Sequence, residues 1–460
     1  MKWYEKLMLK FSDWKKFRKS FSTSRIIIFG FLLVILVGSL LLMLPVSTRG
    51  AGGASFPDAL FTATSAVCVT GLVVHDTATY WSEFGQFIIL MLIQIGGMGV
   101  VTVSVAFAVI SKRRIGLLQR STMQEAISAP HVGGIVRMTS FILKTSLLAE
   151  GIGALLLAPV FCRDFGIGRG IWYAVFHAVS AFCNAGFDLM GVRAPYSSLT
   201  AYPTHPLVNM VIMALIIFGG IGFLTWEDVR TNRLHFRKYR MQSKAVLAVT
   251  AVLILVPALY YFFIEFAAPQ WSGLSFGERF WGALFQAVTP RTAGFNTLDL
   301  TKLSGAGLTI MIFLMLIGGS PGSTAGGMKT TTFAVLTGTA LSVFRRKEDI
   351  CFFKRRIADT AVRNAVAILV LYMGLFVTAA IIISGVEQLP MSVCLFETAS
   401  AVGTVGLTLG ITPTLGMLSR VILIFLMFLG RVGGLTLIFA ALSGTHSDIS
   451  KAPLDRITVG

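Results

Sequence analysis

At 460 residues, 55% hydrophobic and only 13% charged, with a mean hydropathy of +0.78, the chain is too apolar for a soluble domain and reads as an integral membrane protein. Its formal charge of +18 does not signal nucleic acid, because the basic residues gather in short segments at the edges of apolar runs. Five cysteines without CxxC spacing exclude a disulfide framework or thiolate metal site, and six histidines without HExxH spacing give no metalloenzyme signal. The cysteines are expected to be small buried hydrophobes.

Residues 1–25 interleave eight basic residues with Trp3, Tyr4, Leu7, Phe11, Trp14 and Phe17, the pattern of an amphipathic helix lying on an anionic lipid surface. The apolar run 26–44 is too long for a signal h-region and is expected to be a retained spanning helix. A short helix near 57–66, a glycine-bearing loop and a second apolar run at 84–110 follow. This unit of helix, half-helix, loop and helix recurs. Outer helices are predicted near 140–160, 244–266 and 361–384, half-helices near 171–181, 277–287 and 390–399, and inner helices near 207–226, 307–342 and 416–442. The predicted fold is therefore an all-α integral membrane protein of four tandem helix–pore helix–helix repeats in pseudo-fourfold arrangement around one pore, with eight spans and four half-helices. The repeats occupy 26–111, 112–228, 229–342 and 343–446, followed by a cytoplasmic tail at 447–460.

Orientation follows from charge. The N-terminal segment holds eight Lys and Arg, and the connectors 112–144, 230–244 and 345–363 hold six, six and seven. The opposite side has a scatter of single residues such as Arg49, Arg163 and Lys302. Both termini and the three connectors are predicted to be cytoplasmic, with all repeats pointing the same way.

The glycine loops carry the chemistry. SAVCVTGL at 65–72, SAFCNAGF at 180–187, TPRTAGF at 289–295 and SAVGTVGL at 400–407 share a hydroxyl residue, small residues, a glycine and a large apolar residue. The third copy is one residue shorter and carries Arg291, which leaves its register open. Non-helical backbone at membrane depth survives only where it is buried in protein or lines a water-filled path. Glycine lets successive carbonyls turn toward one axis, so four such strands are suited to replacing the hydration shell of a monovalent cation. Glu397 and His177, on the half-helices, are expected to be scaffold hydrogen-bonding groups. The outer acids Asp58, Asp76, Glu83, Asp188, Glu278 and Asp299 either form an attractive vestibule or are ordinary loop acids.

A second irregular stretch interrupts the third inner helix: Gly318, Gly319, Ser320, Pro321, Gly322, Ser323, Thr324, Ala325, Gly326, Gly327 and Met328, before Lys329. Met328 separates Gly327 from the lysine and no strand precedes it, so it is not a phosphate-binding P-loop. A flexible constriction below the carbonyl rings is expected, and its opening would gate the path. Glycine clusters in the other inner helices, at 96–99, 219–222 and 430–434, are expected to permit close packing. Arg431 is costly in a span unless it faces water or a partner. It is either an electrostatic barrier near the axis or a structural pair with Glu397 or loop carbonyls.

With these features in order, the whole chain resembles the Trk/Ktr/HKT superfamily of potassium transporters, most closely the membrane subunit of bacterial Ktr systems. The resemblance implies K+ coordination by backbone carbonyls of Val69, Thr70 and Gly71; Asn184, Ala185 and Gly186; Thr292, Ala293 and Gly294; and Thr404, Val405 and Gly406. It also implies a homodimer with one pore per protomer, and a cytosolic nucleotide-binding (ATP/ADP) regulatory ring on the basic face. No GxGxxG follows a strand, so nucleotide sensing would belong to a separate chain. The expected function is K+ uptake across a bacterial plasma membrane, gated by 318–328 and without enzyme activity or an organic cofactor. The alternative is a Na+-coupled K+ symporter of the same fold, with Na+ as coupling ion or activator. A membrane-embedded enzyme would need converging nucleophile, base or metal ligands, and the intramembrane ionisable residues are too scattered for that.

Overall fold

The computed structural model describes residues 23–50, 52–110, 117–126, 134–233, 235–434 and 436–438. The amphipathic segment expected at 1–25 lies outside them up to residue 22, as does the tail at 447–460.

Among the described residues, four helices are long and apolar enough to cross a membrane unbroken: α1 (Thr23–Leu42), α7 (Ile135–Phe165), α11 (Met241–Phe263) and α15 (Asp359–Glu387). They fall where the sequence leads one to expect the outer helices, and each keeps an apolar face such as Leu147, Leu148 and Leu155 of α7 exposed, as a lipid contact requires. The half-helices are α2 (Phe56–Val67), α8 (Ile167–Phe182), α12 (Phe276–Val288) and α16 (Met391–Gly403). At 12, 16, 13 and 13 residues they rise about 18–24 Å, short of the ~30 Å hydrocarbon core. Their starts are encoded locally. The Ser55 hydroxyl accepts from the Asp58 N–H with Pro57 in the first turn, Ser275 and Glu278 close a capping box, and Pro390 opens α16.

The inner helices differ from expectation. The sequence predicts one broken inner helix; among the described residues all four are interrupted, and the spans expected at those places are built from shorter helical pieces. α4 (Glu83–Met98) stops at Gly99 before α5 (Val100–Ile110); α9 (Pro206–Gly220) and α10 (Phe223–Asn232) meet at 98° across Gly222; α13 (Gly305–Leu316) and α14 (Thr330–Phe344) flank the loop at 317–329; and α17 (Met417–Val432) ends at Gly433. Gly99, Gly222 and Gly433 have φ of +86°, +89° and +93°, a region L side chains rarely enter. The glycine clusters thus break the helices as well as packing them. The remaining described helices, α3 (Thr77–Tyr80) and α6 (Leu117–Ala126), belong to an outer loop and the first connector. A two-stranded hairpin, β1 (Cys351–Phe352) with β2 (Arg355–Arg356), forms part of the third connector.

Packing is cyclic. α4 contacts α8, α9 contacts α12, α13 contacts α16, and α17 contacts α2, so each inner helix packs on the half-helix of the next repeat and the fourth returns to the first. Cys68, Cys183 and Cys394 are buried as expected, whereas Cys162 is half-buried and Cys351 is exposed on the hairpin.

Candidate functional site

The four glycine loops meet at the centre of this cycle. Each half-helix ends and the chain turns through one left-handed residue, Val69, Asn184, Thr292 or Thr404, with φ of +51°, +58°, +66° and +52°. Two residues later comes the glycine, with φ of +91° at Gly71, +71° at Gly186, +78° at Gly294 and +91° at Gly406. The identical pattern fixes the third strand in register with the others. Its missing residue is absorbed upstream: Ala293 N–H donates to Thr289 O four residues back, where Thr70, Ala185 and Val405 N–H reach five residues back to Ser65, Ser180 and Ser400 O. The hydroxyls pin the far side of the turn. Ser65 and Ser400 accept from the Gly71 and Gly406 N–H at 3.1 and 3.0 Å, whereas Ser180 and Thr289 donate to Phe187 and Phe295 O at 2.7 Å.

The strands form a closed ring. A Cβ on Gly71 would sit 2.4 Å from Ala185 O, one on Gly186 2.7 Å from Ala293 O, one on Gly294 2.4 Å from Val405 O, and one on Gly406 2.2 Å from Thr70 O. Each glycine therefore faces the carbonyl preceding the next glycine, and the fourth closes on the first. No side chain fits at any of the four positions without displacing a carbonyl.

Beneath the ring lies the stretch at 318–328. Its neck is closed by Gly318 N–H to Met328 O, at 2.8 Å. Ser320 and Thr324 N–H donate to Gly220 and Gly219 O, Phe223 N–H donates to Gly322 O, and Gly327 N–H donates to Gly430 O. The Thr324 hydroxyl reaches up to Phe182 O at 2.9 Å, and Gly326 abuts the Thr404 side chain. The stretch thus fills the breaks in the second and fourth inner helices and touches the second and fourth glycine loops. Arg431 donates to the carbonyls of Thr324, Gly96 and, at 3.0 Å, Gly97, tying the loop to the break in the first inner helix. Of the two pairings expected for Arg431, the carbonyl one is present. Glu397 instead accepts from the Thr408 and Thr412 hydroxyls.

Lys329 Nζ donates to Ala325 O at 2.9 Å, a contact that the sequence reading passes over. Below the loop is a cavity of about 290 Å³ whose lining includes Lys329, Arg431, Gly99, Gly433 and Glu125. His177 fills the scaffold role: its Nδ1 lies 2.7 Å from Tyr173 O and its Nε2 accepts from Leu189 N–H.

Most outer acids are structural. Asp58 binds Ser55, His75 and Arg420; Asp76 caps α3; Glu278 completes a capping box; Asp299 accepts from Thr301. Arg420, which the sequence reading leaves unremarked on the outer side, makes the pair with Asp58. Asp188, two residues beyond Gly186, is half-buried and among the described residues accepts only from Met190 N–H. Burial and the neighbouring Asp76 charge push its carboxyl up to about 7.

Fold and site together define a helical membrane protein whose broken inner helices enclose a ring of backbone carbonyls. A family model of TrkH cation transport proteins matches residues 4–451, and the chain belongs to that family, which is one of transporters and not of enzymes. It is 41% identical to the potassium/sodium uptake protein NtpJ of Enterococcus hirae, covering 93% of this chain and 94% of that protein. It is 39% identical to the Ktr system potassium uptake protein B of Bacillus subtilis, covering 93% and 95%. Among solved structures, the potassium transporter TrkH from Vibrio parahaemolyticus superposes with a TM-score of 0.68 at 20% identity, over 89% of this chain and 84% of that one.

Proposed function

We propose that this protein takes up K+ across the bacterial plasma membrane through the carbonyl ring. The observation that carries this reading is the closed cycle in which Gly71, Gly186, Gly294 and Gly406 each face the neighbouring strand's carbonyl. The filter carbonyls are those of Val69, Thr70, Gly71, Asn184, Ala185, Gly186, Thr292, Ala293, Gly294, Thr404, Val405 and Gly406. Fixed by hydroxyl and main-chain bonds behind the strands, they replace the water lost by an entering cation without having to reorganise. The names of both relatives, each a potassium uptake protein, support K+ as the ion.

The stretch at 318–328 is the gate, with its loop directly beneath the filter and held by main-chain hydrogen bonds that a small displacement would break. Arg431 is the latch, since its carbonyl bonds join the loop to the first inner helix. The relative's designation as part of a Ktr system supports a partner subunit; we take this to be a cytosolic nucleotide-binding regulator on the basic connectors, acting on a homodimer of this chain with both termini inside. A Na+-coupled symport is the second reading, favoured by the potassium/sodium designation of the other relative.

Uptake of 86Rb+ into proteoliposomes of the purified protein, with and without Na+, tests both. Uptake in the absence of Na+, blocked by excess K+ and weakly by Na+, is the expected result. Strict Na+ dependence with counted Na+ entry would replace it by the symport.

A further inference from the structure

A buried carboxylate lies one layer behind the filter and takes no part in the reading above. Glu150, halfway along α7, is 5% exposed. Other buried acids among the described residues are well supplied with donors: Asp76 accepts from Ala78, Thr79 and Tyr196, Glu265 from Ser304 N–H and Oγ, and Glu397 from two hydroxyls. Glu150 has one good donor, the Gln94 amide of α4, whose Nε2 reaches its two oxygens at 3.0 and 3.2 Å. The Cys183 thiol stands 3.9 Å off, and no basic side chain among the described residues pairs with Glu150.

Two further oxygens on the neighbouring residues have no donor or only a thiol. Ser146, one turn earlier on the buried face of α7, is fully buried and its hydroxyl has no partner. Residues i and i+4 of a helix are neighbours on one face. The Gln94 carbonyl oxygen meets only the same thiol, at 3.9 Å.

We propose that the Glu150 carboxylate, the Gln94 amide oxygen and the Ser146 hydroxyl form a monovalent-cation site, for Na+, separate from the carbonyl ring. An ionised carboxylate inside a membrane protein with one neutral donor is strongly disfavoured, and a bound cation offsets that cost. The ligands are all hard oxygens, which suit alkali and alkaline-earth ions rather than transition metals. One carboxylate neutralises one positive charge, so a divalent ion would leave a net charge buried. On the Cys183 side the space is tight, since a Cβ on Gly97 would lie 2.6 Å from the Sγ, and the smaller Na+ is the ion to test, with K+ as competitor. An ion here joins α4 to α7 directly behind Cys183, which precedes filter residue Asn184. Occupancy of the site thereby stiffens filter strand two.

Equilibrium binding of 22Na+ to the purified full-length protein, with K+ held at a concentration that saturates the filter, tests the site. One Na+ per protomer is expected to remain bound, and Glu150→Gln, which keeps the shape of a neutral acid, is expected to weaken it at least about tenfold. A folded Glu150→Gln protein that binds 22Na+ as tightly as the wild type overturns the proposal, because Glu150 would then be a protonated acid. So does a wild type that binds none under saturating K+. If Glu150→Gln does not fold, Ser146→Ala decides: several-fold weaker Na+ binding supports the site and unchanged binding overturns it. The K+ titration of the wild type's thermal stability is read in parallel; its absence would count against the filter and leave the Na+ site standing.

Discussion

Gly71 shows how much one residue controls in the ring. Its φ of +91° costs an L residue about 1 kcal/mol or more, and a Cβ there points at Ala185 O, 2.4 Å away. Gly71→Ser should therefore push the carbonyl of the second strand aside and loosen the fit around K+. Its K+ over Na+ selectivity, measured by competition against 86Rb+ uptake, is expected to fall by roughly tenfold, which corresponds to about 1.4 kcal/mol. Unchanged selectivity in a folded protein would count against a filter at this position. Asp188 gives the pH dependence. Because its carboxyl is raised to about 7, it carries its charge above that pH and loses it below. With the proposed carbonyl ring beside it, its attraction for entering cations should accordingly grow as external pH rises from about 6 to 8. The half-saturating Rb+ concentration is expected to be a few-fold higher at about pH 6 than at pH 8, and in Asp188→Asn to be flat over that range. A wild-type profile that is flat as well would remove Asp188 from the mouth.

At the scale of helices and loops, the stretch at 318–328 depends on the breaks in its neighbours. Phe223 N–H is free to bond Gly322 O because Gly222 turns the chain, and a Cβ at Gly222 would lie 2.6 Å from Pro321 O. Shortening the loop within 321–326 should remove the plug and raise 86Rb+ flux several-fold; lower flux from a folded, correctly oriented protein would sink the gate assignment. This region also marks where the sequence was legible and where it was not. The interruption at 318–328 is plain in the chain because Pro321 and five glycines stand together in an apolar run. The breaks at Gly99, Gly222 and Gly433 are not, since a small-residue cluster in a span is equally a packing surface and only the positive φ distinguishes the two. The shared backbone turn of the four glycine loops was readable for the opposite reason: four copies of one pattern expose a common constraint that a single copy would not. Arg291 and the shorter third loop obscured the register there, because a deletion can be absorbed on either side of the glycine. The outer acids were ambiguous by type alone. Capping and ion pairing, which depend on Ser55, Ser275 and Arg420 being nearby in space, turned most of them into structural groups.

For the whole molecule, the distinctive property is that a linear series of helices closes into a ring, and the closure must be made between its beginning and its end. The packing of α17 on α2 makes it along the helices, and the Arg420–Asp58 pair makes it near the N-terminal ends of the same two helices, Nη1 to Oδ1 at 2.9 Å with both side chains largely buried. Arg420 also donates to Leu415 and Pro413 O, so it is held in place before it meets the carboxylate and loses little rotamer freedom on pairing. A double-mutant cycle with Arg420→Ala and Asp58→Ala, read as thermal melting of the detergent-purified protein, is expected to give a coupling of about 1 kcal/mol. Against the opposing effect of partial burial, the Ser55 hydroxyl, His75 and Arg420 hold the Asp58 carboxyl below its ordinary value. A depressed carboxylate contributes stability above its unfolded pKa and loses it as pH falls through the folded one. The wild type should therefore lose this contribution only in the acid range below about pH 4, where Asp58→Ala has none left to lose. Additive single mutants with parallel acid melting would show that the helix packing alone closes the ring.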